Sequence, residues 1–277
     1  MSDPVPAVTE AEATGETAAL FADIRAVYGV SVVNLVWRHL ATMPAPGDPR
    51  ALAHVWGGLR PLYIDGTIAA EAEALRAAMP IPAVPAVPGF VPATLGLDDA
   101  ALAGARAVMA AYDRTNAMAL VALSAARARL HGRGGPAAAP RKAPAPPARF
   151  SLPPLVDLAA MAPATAELVV ALNRMGAVQE HPVLASMYRN LAHWPAFLAL
   201  AWGVLAPLHA DGRLAQAIAA GLALAQSRAA TLPPPPADIP PLDPSLHAPV
   251  DAALALFTGD AIARMLVVTA VLRRALG

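Results

Sequence analysis

The chain has 277 residues with 20 Lys+Arg against 20 Asp+Glu, so it carries no formal net charge. That balance excludes a general nucleic-acid or anionic-membrane binder, whose surface needs a basic excess. Hydrophobic residues make up 57% and charged residues 14%, against roughly 45–50% and about 25% in an average domain, which excludes a disordered chain. The absence of Cys removes disulfides, thiolate metal sites and cysteine nucleophiles.

In chain order, the acidic N-terminus lacks the basic-then-apolar order of a signal peptide. Leu20, Ile24, Val27 and Tyr28 then recur at helical spacing. The Ala45 to Pro49 stretch reads as a loop. Asp48-Pro49 starts a helix carrying Leu52, Val55, Trp56 and Leu59, which Pro61 should kink or end before the Asp65-Gly66 turn. Pro80 to Pro92 is a candidate extended crossover, and Tyr112 to Leu120 lies in an apolar helical run. Gly132 to Pro147, rich in Gly, Ala and Pro, reads as a semi-rigid linker. The longest apolar run, Pro195 to Ala210, contains Pro207 and His209, short of the ~20 apolar residues of a spanning helix. Buried helices, a cytoplasmic location and no membrane partner are therefore expected.

The second half repeats the first. Trp56-Gly57-Gly58-Leu59-Arg60-Pro61-Leu62-Tyr63-Ile64-Asp65-Gly66 aligns with Trp202-Gly203-Val204-Leu205-Ala206-Pro207-Leu208-His209-Ala210-Asp211-Gly212, identical at seven of eleven positions and displaced by 146 residues. Upstream, Val33 to Pro44 aligns with Leu184 to Pro195 at a displacement of 151, matching Arg38 with Arg189. Pro233 to Pro241 falls where Pro80 to Pro92 falls in the first copy. The reading is an all-α chain of two tandem helical repeats, 1–131 and 151–277, joined by a 132–150 linker and packed as a pseudo-dimer with a cleft between them. A cleft between halves is a usual place for a small-molecule site.

Residues shared by both copies, such as Arg38 with Arg189 and Trp56 with Trp202, are expected to serve packing and ion pairing. Polar residues that break the repeat carry more information. Asn116 lies in the apolar run, and its counterpart is Ile262. A buried Asn needs partners, and either water or substrate, or a neighbouring carbonyl, would supply them. Glu180 faces Gly29 in the alignment. It reads either as a helix cap before Pro182 or as a neighbour of free helix amides that would hold a ligand's carboxylate. The seven His lack ligand spacing with carboxylates, so no metal and no cofactor is expected.

Ala19 to Arg25, Val33-Asn34-Leu35-Val36-Trp37-Arg38-His39-Leu40-Ala41, Tyr112 to Ala119, and Ser186-Met187-Tyr188-Arg189-Asn190-Leu191-Ala192-His193-Trp194-Pro195 together resemble the group I 2-haloacid dehalogenases, which act on both enantiomers. The resemblance implies a helical pseudo-dimer in which an Asp-activated water displaces halide from the α-carbon with inversion. By motif, Trp37 matches the pocket Trp and Asn116 the water-holding Asn. The Asp is absent, and Gln179-Glu180-His181-Pro182 stands in its stretch, so Glu180 is the expected base. Leu40 stands where active members are expected to carry an aromatic. Amides near His181 and Val183 are expected to receive the substrate carboxylate. The implied partner is a short 2-halocarboxylate, with a homodimer as a possible assembly. The alternative is an inactive member that binds small carboxylic acids or serves a structural role.

Overall fold

The computed structural model of the chain describes residues 5–84, 95–136 and 151–276. About two thirds of them are helical, and no strand forms among them. The helices are α1 (Gly15–Tyr28), α2 (Leu35–Leu40), α3 (Arg50–Ile64), α4 (Thr67–Ala78) and α5 (Asp99–Leu130), then α6 (Pro163–Arg174), α7 (Ser186–Leu191), α8 (Pro195–Ala210), α9 (Arg213–Ala229), α10 (Pro244–Leu256) and α11 (Ala263–Leu276). A wide π-turn, Phe257–Ile262, joins α10 to α11 without a break.

The 32 residues of α5 form the axis of the fold. Asp98 caps it by accepting from the Ala101 amide at 2.7 Å, and its Ala- and Leu-rich sequence favours long helix. From Thr115 to Ala126 every residue is buried. Helices α3, α4, α7, α9, α10 and α11 all pack on it, so the apolar composition of the chain is absorbed around one rod. The continuous helix Pro244–Leu276 is long and apolar enough by composition to cross a membrane, yet 78% of its most apolar window is buried inside the protein.

The repeated motif folds the same way twice. Both α3 and α8 run through their proline to end three residues later, at Ile64 and Ala210. Of the expectation that Pro61 and Pro207 kink or end those helices, the ending is corrected, since each helix runs on past its proline. A proline within four residues of the C-terminus removes only one ladder bond before the helix stops anyway. Gly66 and Gly212 then adopt φ of 81°, a conformation in which a Cβ would clash with the backbone. Asp65 and Asp211 accept from the amides of Thr67 and Arg213 at 2.8 and 3.1 Å, starting the next helix. Extended arms also match: Val8 N–H donates to the Arg38 carbonyl, and Val156 N–H to the Arg189 carbonyl. His39 lies against Pro6 O, and Asn190 donates to Pro153 O.

The matched tryptophans diverge. Trp56 is buried among Tyr28, Trp37 and Tyr63 and donates from Nε1 to Asp23 at 2.7 Å. Trp202 is 40% exposed, so the expectation that both are packing residues is corrected for Trp202. The aromatic partners that enclose Trp56 all belong to the first half. Arg189 does form an ion pair, with Asp157. Helix α3 begins at Arg50, with Asp48 accepting from the Arg50 amide at 3.0 Å. Most of Pro80 to Pro92 and of the 132–150 linker lies outside the described residues.

Gly104 on α5 is where the first half meets Trp194: an added Cβ would lie 2.4 Å from its ring. Gly104→Ala should destabilise the protein by about 1–2 kcal/mol, since overpacking outweighs the ~1 kcal/mol gain in helix propensity. The urea midpoint measures it.

Asp23 makes a second prediction. Its carboxyl is held below the usual carboxylate range by the Arg60 guanidinium, bonded at 2.7 and 2.9 Å, with Trp56 Nε1 adding. Its stabilisation is thus complete above the unfolded carboxylate pKa of about 4 and lost as pH falls through the lower folded value. Asp23→Asn should cost about 1–2 kcal/mol at neutral pH. The gap to the parent protein should narrow in urea titrations as the pH falls below about 4.

Candidate functional site

Asn116 faces a cavity of about 90 Å³ whose lining comes from both sides of the 132–150 segment. The first side supplies the 30–36 stretch entering α2 and one face of α5, Ala111, Tyr112, Thr115 and Asn116. The second supplies Leu152, the 183–187 stretch entering α7, and Phe257, Ala261, Ile262 and Met265 from the π-turn and α11. The α5 residues lie at i, i+1, i+4 and i+5, one helical stripe. The π-turn spaces Phe257, Ala261 and Ile262 so that all reach the same wall, a role often found for such turns. Most of the lining is aliphatic.

Polar groups are few. Asn116 is 6% exposed, and its Nδ2 has no partner. Thr115 Oγ1 donates to the Ala111 carbonyl at 2.9 Å and the Tyr112 hydroxyl to Asn190 Oδ1 at 2.7 Å. Burial pushes the Tyr112 phenol up, so it stays neutral at physiological pH. Asn34 and Ser186 complete the polar lining. No carboxylate and no cationic side chain is among the lining residues. Among the described residues, no three His, Cys, Asp or Glu gather to hold a metal.

The 183–187 wall is held from behind by a buried polar cluster. Asn173, at the end of α6, donates from Nδ2 to Val183 O at 3.2 Å and accepts from the Ala185 amide at 3.0 Å. Arg264, with no solvent exposure, donates to the Asn173 carbonyl and lies 3.5 Å from Asp260, which is also buried. Asp260 in turn accepts from the Val178 amide at 3.1 Å. One cluster thereby fixes both the bend before the wall and the wall itself.

Of the residues expected from sequence, the structure brings Asn116 and Val183 to the cavity, and with them Ile262, the repeat counterpart of Asn116. Glu180 and His181 are exposed and outside the lining. The reason is local: α7 begins at Ser186, so Pro182 lies in extended chain and Glu180 sits on a bend rather than at a helix start. Trp37 and Leu40 are fully buried but also outside the lining. Val33 and Val36 occupy the cavity stripe of that segment, whereas Trp37 packs against Tyr28 and Trp56 in the aromatic core. Sequence reasoning missed Thr115, Tyr112, Asn34 and Ser186. The i, i+3, i+4 relation of Tyr112, Thr115 and Asn116 is the signal that would have found the first two.

Fold and site together define an all-α protein with a small, mostly aliphatic cavity carrying one unpartnered amide. The chain has the fold of the D-2-haloacid dehalogenases. It matches a D-2-haloacid dehalogenase mutant with a TM-score of 0.75 and 20% identity, over 99% of this chain and 97% of that one. It also matches that enzyme in complex with L-LA, at 0.74 and 19%, and a mutant in complex with D-2-CPA, at 0.70 and 18%, with the same coverage. No family model and no curated protein matches the sequence.

Asn173→Ala should loosen the cavity wall and leave Val183 O and the Ala185 amide unpaired, costing about 2–4 kcal/mol. The drop in urea midpoint and faster amide exchange at residues 183–187 would show it.

Proposed function

We propose that the cavity takes a short 2-halocarboxylic acid and that the chain hydrolyses it. The observation carrying this reading is the unpartnered amide of Asn116 in a cavity of about 90 Å³. A space of this order is well below that of drug-sized ligand sites, so it calls for a small guest, and a 2-chloropropionate has only three carbons, two oxygens and a chlorine. The aliphatic lining suits the alkyl and halogen ends. The fold shared with D-2-haloacid dehalogenases supports the same class.

In the hydrolysis, a water oxygen attacks the α-carbon opposite the halogen, and the carbon–halogen bond breaks with its electron pair leaving as halide. One proton passes to a base, and a 2-hydroxy acid of inverted configuration results. Asn116 orients the water or the carboxylate by donating from Nδ2. Glu180 takes the proton in this reading if its bend closes over the opening. Three residues of chain bring it within about 11 Å of Val183. In the same reading the two halves are tandem copies about a pseudo-two-fold axis, and the reaction needs no metal.

The carboxylate-free lining favours a second reading: the cavity binds a short carboxylic acid without turnover. Halide release from racemic 2-chloropropionate, with calorimetry of its binding, separates the two. Release that disappears in Glu180→Gln supports hydrolysis with Glu180 as base, and release that survives in that variant moves the base elsewhere. Binding without release supports the second reading, and neither binding nor release removes both. With turnover present, Asn116→Ala should slow it by roughly 10²- to 10³-fold, as for other positioned polar donors.

A further inference from the structure

Between α9 and α10 the 233–242 segment crosses over α3 and the end of α5. Side chains pin it there. Arg129 donates to the Gly58 carbonyl at 2.8 Å and to the Pro233 carbonyl, and His54 Nδ1 donates to the Pro240 carbonyl at 3.0 Å. Ile239 sits so close to Gly57 that a Cβ added there would lie 3.0 Å from it. Between the segment and these helices lies a cavity of about 250 Å³. Val55, Leu130 and Leu242 give it an apolar wall, and its ionisable lining groups are His54, Arg129 and His247.

The charge of Arg129 has no counterpart. No carboxylate is among the lining residues, and both bonds of Arg129 among the described residues go to neutral carbonyls. Its Nε is buried without a hydrogen-bond partner. Asp243 and Asp251, the carboxylates of α10 and its cap, lie outside the lining and are bonded elsewhere, Asp243 to Ser245 and Arg50, Asp251 to Arg127 and His131. Asp238, on the segment, is exposed and also outside the lining. Burial pushes the Arg129 guanidinium down to about 10, so it is still charged at neutral pH. A charge drawn out of water is ordinarily met by an opposite one. The two histidines share the same space: burial holds the His54 ring below its ordinary value, the Pro240 bond opposes this, and the neighbouring His247 adds to it. With Nδ1 committed to Pro240, the other ring nitrogen of His54 has no partner among the described residues.

We propose that this cavity is a second binding site, for a small organic monoanion with an apolar body, whose charge pairs with Arg129 while its body lies against Val55, Leu130 and Leu242. One guanidinium without a counter-charge calls for one negative charge, and the aliphatic wall favours such a guest over an inorganic ion. His54 and His247 flank the charged end. None of these residues lines the smaller cavity, so the inference stands apart from the reading given to that one.

Calorimetry on the full chain with benzoate, benzamide and acetate tests the proposal, benzamide lacking the charge and acetate the apolar body. Benzoate should bind at least ten-fold more tightly than either. Its binding should weaken ten-fold or more in Arg129→Gln and stay unchanged in Asn116→Ala, which alters the smaller cavity. Because Arg129 also braces the segment, NMR on the parent protein gives a second readout that holds even where Arg129→Gln fails to fold. Benzoate should shift the ring signals of His54 and His247, assigned with His54→Gln and His247→Gln, and leave those of the exposed His181 in place. No binding of benzoate at millimolar concentration would overturn the proposal, as would equal binding of benzamide or acetate, undiminished binding in Arg129→Gln, loss of binding in Asn116→Ala, or unshifted His54 and His247 signals.

Discussion

A guanidinium removed from water has to be surrounded by acceptors, because an uncompensated buried charge costs several kcal/mol. Arg264 is such a group, and only part of it is satisfied: one guanidinium nitrogen bonds the Asn173 carbonyl and Asp260 lies 3.5 Å away, while Nε and Nη2 have no hydrogen-bond partner. Asp260 sits one turn away on the π-turn, and the Asn173 carbonyl comes from the end of α6. Each partner is tied to the chain between α6 and α7, Asp260 through the Val178 amide and Asn173 through Val183 and Ala185. An extended segment with no helix or sheet of its own is thereby pinned by side chains.

The two cavities differ as their linings require. The smaller one has no charge in its lining and one unpartnered amide, so it suits a small, largely apolar guest with a single polar end. The larger one, against the 233–242 segment, has a single guanidinium and no carboxylate in its lining, so it suits a guest with an apolar body and one charged end. In a third hollow, where α4, α5 and α11 meet, the buried carboxylate of Asp113 draws in Arg76 from α4 and Arg273 from α11. Each site is built at a junction of elements far apart in sequence. All three depend on α5, which brings Asn116 to the first, Arg129 to the second and Asp113 to the third. Asp113 follows Arg106, Met109 and Ala110 along the stripe of α5 next to the one that carries Asn116, so a single rod lines two cavities on neighbouring faces.

Much of the fold was legible because it rests on local chemistry. The repeated Trp-Gly-x-Leu-x-Pro-Leu motif predicts matched helices, and the Asp-Gly pair at its end predicts a stop, since Gly reaches φ of 81° without strain. Asn116 was legible as an anomaly: a polar residue in an apolar stripe, opposite Ile262 in the repeat. The position of Glu180 on a bend was not legible, because a helix was expected to hold Pro182 in its first turn, whereas α7 begins at Ser186. Nothing in the sequence shows that Asn173 takes up the Val183 carbonyl and the Ala185 amide in that stretch. Val36 and Trp37 are adjacent in sequence yet serve different places, Val36 in the cavity lining and Trp37 in the aromatic core with Tyr28 and Trp56, which their sequence does not show.

The sequence by itself determined that the chain is all-helical, that it repeats, that it is neutral overall, and where its helices stop. Each of these follows from periodicity, composition or the backbone freedom of single residues, which are properties of short stretches. Tertiary structure decided which polar residues meet. Arg264 with Asn173, Arg273 with Asp113 and Tyr112 with Asn190 are separated by tens of residues, and their encounter depends on how the helices cross, which no local pattern encodes. It also decided that Trp56 is enclosed and its counterpart Trp202 is not, because enclosure depends on the partners a residue finds, and Trp56 finds Tyr28, Trp37 and Tyr63 around it.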